Sequence, residues 1–212
     1  GRFLVEAAKR LPAARLIGIE VDPLAGLLVR ANAEVLGFAD RLDLRIEDYR
    51  ATKLSPVAGR TLFIGNPPYV RHHDIGEDWK SWFARGAAQH GVTASKLAGL
   101  HLHFFIRTLQ IAHENDVGVF ITAAEWLDVK YGDLLRRLLV DGLGGCNLQV
   151  MEAKVQPFDD AATTAAITCF RVGVASTGMR VRAVTSVGDL GDLSGGETIP
   201  VTELSRSNRW ST

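Results

Sequence analysis

Apolar and polar residues alternate along the chain with two periods, one typical of helices and one typical of strands. In Gly1–Leu11 the apolar positions recur every three or four residues, which predicts a helix that ends before Pro12. The short apolar run Leu16–Val21 predicts a buried strand with acidic residues at its carboxyl end. Pro23 then begins a second helix, whose predicted inward face consists of Leu24, Leu27, Leu28, Ala31 and Val35.

The same alternation continues to about residue 185. Further strands are predicted at Leu42–Ile46, Thr61–Ile64, Val117–Thr122, Leu148–Met151, Thr164–Val172 and Met179–Thr185, and further helices at Ala98–Glu114 and around Leu134–Leu139. Residues 70–97 lack a clear period, and we expect a long loop there with a short helix near Trp79–Arg85. Strands that alternate with helices predict an α/β fold, built on a doubly wound, mostly parallel sheet with an antiparallel edge formed by the last strands.

Composition predicts one domain followed by a linker. Of the 212 residues, 47% are hydrophobic and 23% are charged, which is typical of a folded domain and argues against disorder. We assign residues 1–186 to the domain and residues 187–212, which are rich in Gly, Asp and Ser, to the linker. No apolar run approaches the ~20 residues that cross a bilayer, so we expect no membrane partner.

Charge and cysteine content narrow the possible partners and location. Lys and Arg number 24, as do Asp and Glu, so the formal net charge is zero. A neutral domain is not a general binder of polyanions, and any contact with nucleic acid should therefore be local. Cys146 and Cys169 have the spacing of neither a metal site nor a disulfide framework, which favours a reducing, cytoplasmic compartment.

Polar residues follow three of the predicted strands at the point where each strand ends. Glu20 and Asp22 come at the end of the first strand, Asp48 follows the second, and Asn66–Tyr69 follow the third. Ligands of parallel sheets bind outside the carboxyl ends of the strands. We therefore expect these side chains to line one crevice.

The segment Asn66-Pro67-Pro68-Tyr69 is the strongest local signal of chemistry. The prolines fix the backbone, so that the Asn66 side-chain oxygen and a proline carbonyl can accept both protons of one planar amino group. Tyr69 can stack on the ring that bears this group. The alternative is a turn that closes a strand, for which this sequence is also suited.

Taken together, these motifs resemble the class I S-adenosylmethionine-dependent methyltransferases. More narrowly, they resemble the enzymes of restriction-modification systems that methylate N6 of adenine in DNA. The matching segments are Gly1–Leu4, Ile19–Pro23, Glu47–Tyr49, Asn66–Tyr69, Phe120–Thr122 with Trp126-Leu127, Tyr131-Gly132, and Val155–Phe158 ahead of Thr164–Phe170.

The resemblance implies a Rossmann-like methyltransferase core that is part of a longer protein. In the family a central first strand stands immediately before the glycine-rich loop, and Gly1 resembles the end of that loop. We therefore expect the first strand to be missing from this chain. We also expect the linker to lead to a target-recognition domain, or a specificity subunit to serve in its place.

The resemblance assigns the cofactor, S-adenosylmethionine, to the first part of the chain. Glu20 would accept both ribose hydroxyls, a role suited to an acceptor-only carboxylate. Asp48 would accept the N6 protons of the cofactor adenine, with Tyr49 beside that ring. Gly1 would allow the backbone to approach the methionine moiety. Asp22 has a weaker claim than Glu20.

The resemblance assigns the target base to the second part. Asn66, Pro67, Pro68 and Tyr69 would form the catalytic motif, in which Asn66 and Pro67 hold the amino group. Tyr69 would stack on the target base and Phe158 would contact its other face, although Phe158 could equally be a core aromatic. Because a duplex hides the amino group, the partner would be double-stranded DNA with the base flipped out.

Three other functions remain open at this point. The same pocket would suit N5-methylation of a protein glutamine, and the motif does not exclude N4 of cytosine. An inactive fragment that only binds DNA or cofactor is the alternative from another class. No cysteine nucleophile is required for an amino target, which argues against cytosine C5.

Histidines and a basic segment have weaker claims to function. We expect His72-His73-Asp74 to lie in a solvated loop and predict no metal, because adjacent histidines point apart on most backbones. His101 and His103 fall in a predicted helix and are interpreted as structural. Cations and tryptophans of the long loop are either contacts to DNA phosphate or an ordinary surface: Arg71, Lys80, Arg85, Lys96, Trp79 and Trp82.

Overall fold

The computed structural model describes residues 1–55, 57–152, 154–155, 164–192 and 194–211. Its contacts divide the chain into two compact units, Gly1–Ser55 and Pro56–Thr212. We call these the N-terminal unit and the C-terminal unit. The single domain predicted for residues 1–186 is thus divided after Ser55.

The N-terminal unit is a pair of parallel strands with two helices. It contains α1 (Arg2–Arg10), β1 (Leu16–Glu20), α2 (Pro23–Val35) and β2 (Leu42–Ile46), with 3-10 turns at Ala39–Arg41 and Tyr49–Ala51. The strands pair in register from Leu16 opposite Leu42 to Glu20 opposite Ile46. The small core of this unit comprises Ala8, Leu16, Val29, Ala33, Phe38 and Leu42.

Helix α2 forms where predicted but presents a different face to its core. The leucines expected to face inward are exposed, with Leu27 at 65% and Leu28 at 60%, whereas Val29 and Ala33 are buried. Small residues explain the difference: a Cβ on Gly26 would stand 2.3 Å from Cδ1 of Ile46, so the helix packs closely through its small-residue face. The prediction relied on the number of leucines on one face of the helix and did not foresee the close contact between Gly26 and Ile46.

The C-terminal unit is a six-stranded sheet with helices. Its elements are β3 (Leu62–Gly65), α3 (Glu77–Gln89), α4 (Leu100–Ile111), β4 (Val117–Ala123), α5 (Asp133–Val140), β5 (Gly145–Met151), β6 (Ala165–Arg171), β7 (Gly178–Val184), β8 (Glu197–Pro200) and α6 (Val201–Leu204). Four 3-10 turns lie at His72–Asp74, Ala124–Leu127, Lys130–Gly132 and Val187–Gly191. None of the helices in the described part of the chain has the length and apolar character needed to cross a membrane.

The strand order is β3-β4-β6-β5-β7-β8. Strands β3, β4, β5 and β7 share one direction, and β6 and β8 run against them. The predicted α/β class with a mostly parallel sheet is confirmed. The antiparallel edge is formed by β8, a strand that the sequence pattern did not predict. Of the last two predicted strands, β6 lies inside the sheet between β4 and β5, and β7 runs parallel to β5.

The long loop expected over residues 70–97 contains a full helix. Helix α3 spans 13 residues, but only Phe83, Gly86 and Ala87 of it are buried, and the charges around them hide the helical period. The Phe83 ring stacks on His103 of α4 with ring centroids 4.3 Å apart. A Cβ on Gly86 would meet Ile106 at 2.7 Å, so α3 and α4 pack closely.

In place of the linker predicted for residues 187–212, the structure has ordered elements. Strand β8 pairs with β7, and the Trp210 ring is buried against Trp126 with ring centroids 6.1 Å apart. The polar residues that suggested a linker make local hydrogen bonds instead, such as the capping box of Ser186 and Asp189. Carbonyls of this segment also accept hydrogen bonds from Arg180 and Arg182.

Candidate active site

The motif Asn66–Tyr69 continues directly from the carboxyl end of β3. Proline cannot donate a ladder hydrogen bond, so the two prolines end the strand at Gly65. Pro67 is buried and anchors the segment, while Asn66, Pro68 and Tyr69 are exposed. Partial burial raises the pKa of the Tyr69 hydroxyl above its ordinary value.

Two hydrogen bonds fix the way the chain leaves this motif. The Val70 backbone N–H donates to the Pro68 carbonyl over 3.1 Å, and the Leu100 N–H at the start of α4 donates to the Val70 carbonyl over 3.0 Å. Within the described ranges, no donor engages the Asn66 side-chain oxygen or the Pro67 carbonyl. Both acceptors predicted to hold an amino group are therefore uncommitted.

The loop after β4 lies at the same edge of the sheet as this motif. Strands β3 and β4 are parallel, with Gly65 opposite Phe120, so both chains leave the sheet on one side. We call residues 124–132 the β4 loop. It consists of the two 3-10 turns Ala124–Leu127 and Lys130–Gly132 and leads into α5.

Buried contacts with α5 and within the loop itself hold the β4 loop in place. The Arg136 guanidinium of α5, 5% exposed as a residue, donates to the carbonyls of Trp126, Leu127 and Val129 over 2.6, 3.0 and 3.2 Å. Gly132 passes so close to the Trp126 carbonyl that a Cβ there would stand 1.8 Å from the oxygen. The loop therefore has little freedom to move its backbone.

The β4 loop presents a hydrogen-bonded pair that the sequence did not predict as a site. The Tyr131 hydroxyl donates to Oε2 of Glu125 over 3.1 Å. Burial, this hydrogen bond and the Glu125 charge raise the pKa of Tyr131 to about 12, so the phenol remains a donor. Tyr131 was part of a matching motif, but no spacing in the sequence joins it to Glu125.

In the N-terminal unit, Glu20 lies at the carboxyl end of β1 with half of its carboxylate committed. Its Oε1 accepts the backbone N–H groups of Val21 and Asp22 over 2.9 and 3.1 Å. No residue of the described chain bonds to Oε2, which leaves acceptor capacity for hydroxyl groups. Asp22 instead caps α2, accepting the Leu24 N–H over 2.9 Å.

Both carboxylate oxygens of Asp48 already accept hydrogen bonds from Arg50, which its predicted role does not require. Arg50 binds it in a bidentate manner, from Nε to Oδ1 over 2.9 Å and from Nη2 to Oδ2 over 2.6 Å. The Arg50 backbone N–H also donates to Oδ1, so Asp48 caps the turn Tyr49–Ala51. Gly1 caps α1, and a Cβ on it would stand 3.0 Å from the Val29 side chain of α2.

The predicted residues belong to two different units. Glu20, Asp22, Asp48, Tyr49 and Gly1 belong to the N-terminal unit, and Asn66–Tyr69 belong to the C-terminal unit. Glu20 and Asp48 follow paired strands, and the Glu47 N–H donates to the Glu20 carbonyl over 3.0 Å. Phe158, the predicted second contact to the target base, lies outside the described residues.

The weaker sequence candidates take ordinary structural places. Within the described residues, no group of three or more His, Cys, Asp or Glu side chains could hold a metal. His101 and His103 are both buried in α4, in agreement with a structural role. Of the possible DNA contacts, Lys80 pairs with Glu77 over 2.7 Å, and the Trp79 and Trp82 rings pack edge to face; Arg71, Arg85 and Lys96 are exposed.

Comparisons with known proteins agree with the motif pattern. Residues 59–150 match the family model described as Eco57I restriction-modification methylase. Over 211 residues, all of this chain, the sequence is 54% identical to the Type II methyltransferase M.XamI of Xanthomonas campestris pv. amaranthicola. The chain covers 40% of the length of that relative.

Two solved structures show the fold. One is a methyltransferase subunit of a type I restriction-modification system from Streptococcus thermophilus, with TM-score 0.65 and 12% identity, covering 93% of this chain and 42% of that one. The other is a putative class I S-adenosylmethionine-dependent methyltransferase from Listeria monocytogenes, with TM-score 0.62 and 12% identity, covering 96% of this chain and 58% of that one.

Proposed function

Since the chain is a relative of restriction-modification methyltransferases, we propose that it forms the catalytic core of a DNA methyltransferase that modifies N6 of adenine. One observation carries this proposal. Two uncommitted acceptors, the Asn66 side-chain oxygen and the Pro67 carbonyl, follow the end of β3, beside an exposed Tyr69 ring.

These acceptors address the difficulty of the reaction. An exocyclic amino nitrogen is a poor nucleophile because its lone pair is delocalised into the ring. Two acceptors on its protons favour a pyramidal nitrogen and localise that pair. The acceptors are already in place before the substrate arrives, so they stabilise the developing positive charge without reorganising.

The residues of the N-terminal unit fit S-adenosylmethionine in part. Bound there, the cofactor supplies an electrophilic methyl group on a sulfonium. Glu20 would hold the ribose hydroxyls through its uncommitted Oε2. Asp48 would have to share its carboxylate between Arg50 and the cofactor adenine, with Tyr49 beside that ring. Gly1 would border the methionine moiety, and Asp22 would contribute mainly by capping α2.

The similarity to restriction-modification methyltransferases and the acceptors of the motif support a proposal for the substrate. We propose that double-stranded DNA presents a flipped adenine, that Tyr69 stacks on it, and that Phe158 contacts its other face. A recognition domain or subunit outside this chain would select the sequence. The amino groups at cytosine N4 and at glutamine N5 could donate the same two hydrogen bonds to Asn66 and Pro67. An inactive fragment would bind DNA or cofactor without transferring a methyl group.

The test is methyl transfer by the full-length protein from labelled S-adenosylmethionine. Three substrates are compared: DNA with adenine as the only amino target in candidate sites, DNA with cytosine as the only such target, and a glutamine-bearing protein. We expect label as N6-methyladenine, lost in Asn66→Ala. Label in cytosine alone, or in the protein alone, would show that this group, and not adenine, is the methylated target. The absence of transfer to all three substrates would refute the proposal.

A further inference from the structure

The proposed methyl transfer leaves a proton that the motif Asn66–Tyr69 is poorly suited to accept. The amino nitrogen forms a bond to the methyl carbon while the carbon–sulfur bond breaks, and that electron pair stays on sulfur. The nitrogen then has one proton more than the neutral product. Amide and peptide oxygens accept hydrogen bonds well but are very weak bases. A carboxylate is a much stronger base and can take the proton directly.

Among the described carboxylates of the β4 loop and the start of α5, Glu125 keeps one oxygen that has no hydrogen-bond or ion-pair partner. On the β4 loop and the start of α5, Asp128 binds Ser211 and Asp133 pairs with Arg137 over 2.9 Å. Glu125 is exposed, and no Lys, Arg or His in the described ranges lies within ion-pair distance of it. Its Oε2 accepts the Tyr131 hydroxyl, which leaves Oε1 open.

The position of Glu125 follows from the strand register. Asn66 is the residue after Gly65, which lies opposite Phe120, and β4 ends at Ala123, two residues before Glu125. The two strands are parallel neighbours, so Asn66 and the β4 loop leave them on the same side of the sheet, with β4 running three residues past Phe120. Arg136 and the close passage of Gly132 fix the loop backbone that holds Glu125 there.

We propose that Glu125 is a catalytic base that accepts the proton released from the methylated amino group, and that Tyr131 positions it. The N–H bond breaks, its electron pair stays on nitrogen as the neutral product, and Oε1 of Glu125 takes the proton and later passes it to water. The Tyr131 hydroxyl holds the carboxylate in one orientation. This inference rests on the proposed function.

The test uses the full-length protein, saturated with S-adenosylmethionine, in a single turnover on the unmethylated DNA that accepts label in the test of the proposed function. Glu125→Gln keeps the shape and a hydrogen-bond acceptor for Tyr131 but removes the base. We expect the rate to fall ~10²-fold, as is usual when a general base is lost, with unchanged affinity for DNA and cofactor. Glu125→Asp should recover part of the rate.

The pH profile separates proton transfer from a merely structural role. In the wild type the rate should fall at acidic pH as Glu125 is protonated, and Glu125→Gln should lose that fall. Tyr131→Phe should lower the rate about tenfold, since the phenol no longer holds the carboxylate in one orientation. The other charges in or against the β4 loop among the described residues are those of Asp128, Lys130, Asp133, Arg136 and Arg137.

A matched control comes from the opposite edge of the same sheet. Glu114 is exposed and precedes β4, so Glu114→Gln makes the same change of charge away from the motif, and we expect no effect. A Glu125→Gln variant with wild-type rate and pH profile would overturn the inference, while transfer that depends on Asn66 would still support the proposed function. A wild-type protein without transfer overturns both.

Discussion

The two units hold their polar groups in opposite ways. In the N-terminal unit the carboxylates at the strand ends are used by neighbours within two residues: Asp22 caps α2, Asp48 pairs with Arg50, and Glu20 keeps one oxygen. In the C-terminal unit the chain around the site is fixed by contacts from distant residues, and the acceptors of Asn66 and Pro67 stay uncommitted. A carboxylate that bonds to its near neighbours in the chain stabilises a turn. A backbone held by residues distant in the chain leaves its own polar groups available to bind a substrate.

The largest effect should come from removing distant support in the C-terminal unit. Trp210→Ala deletes a buried ring that packs edge to face on Trp126 and donates to the Leu204 carbonyl, and we expect a loss of ~3–5 kcal/mol of unfolding free energy. Denaturant unfolding of the 212-residue chain measures it. The exposed neighbour Arg209→Ala serves as control. Equal stabilities of the two variants would restore the linker prediction for this segment.

The next effect concerns the uncommitted acceptor. Asn66→Ala should lower turnover by ~10²–10³, because the lost oxygen acts on charge that develops at the amino nitrogen. The affinity for S-adenosylmethionine should stay constant, as measured by calorimetry on the full-length protein. A parallel loss of cofactor affinity would mean that Asn66 is not confined to the target side.

A smaller effect is expected in the N-terminal unit, on cofactor binding. Glu20→Ala should weaken S-adenosylmethionine binding by ~1.5–3 kcal/mol, the usual contribution of a hydrogen bond to a charged group. Asp22→Asn keeps an N-cap acceptor and should change the affinity much less. Isothermal titration of both variants decides the matter; a larger loss for Asp22→Asn would reverse the two assignments.

The smallest effect tests the face of α2. Val29→Ala should cost ~1–2 kcal/mol, because Val29 is buried among Ala8, Leu16 and Ala33. Leu28→Ala removes a larger side chain but should stay within ~0.5 kcal/mol in the 212-residue chain, since Leu28 is 60% exposed. Hydrogen exchange of the α2 amides compares the two. A greater cost for Leu28→Ala would support the face predicted from the leucine pattern.

Structural features that depend on residues close together in the chain could be predicted from the sequence. Glu20, Asp48 and Asn66 were placed at strand ends because short apolar runs and prolines mark where strands stop. Helix α3 was predicted too short and strand β8 was missed, because their buried positions are few and stand among polar residues. Glu125 was missed for another reason: its position depends on Arg136, eleven residues further along, and no periodic pattern records that contact.

The place of β6 has a consequence for the order in which the protein is made. Strand β6 lies between β4 and β5, yet it follows both in the chain. Until residues 165–171 have left the ribosome, one side of β4 has no partner for its backbone groups. An unpaired strand edge is a template for association with other chains. We therefore expect nascent chains halted between residues 124 and 164 to associate more readily than chains that extend past Arg171.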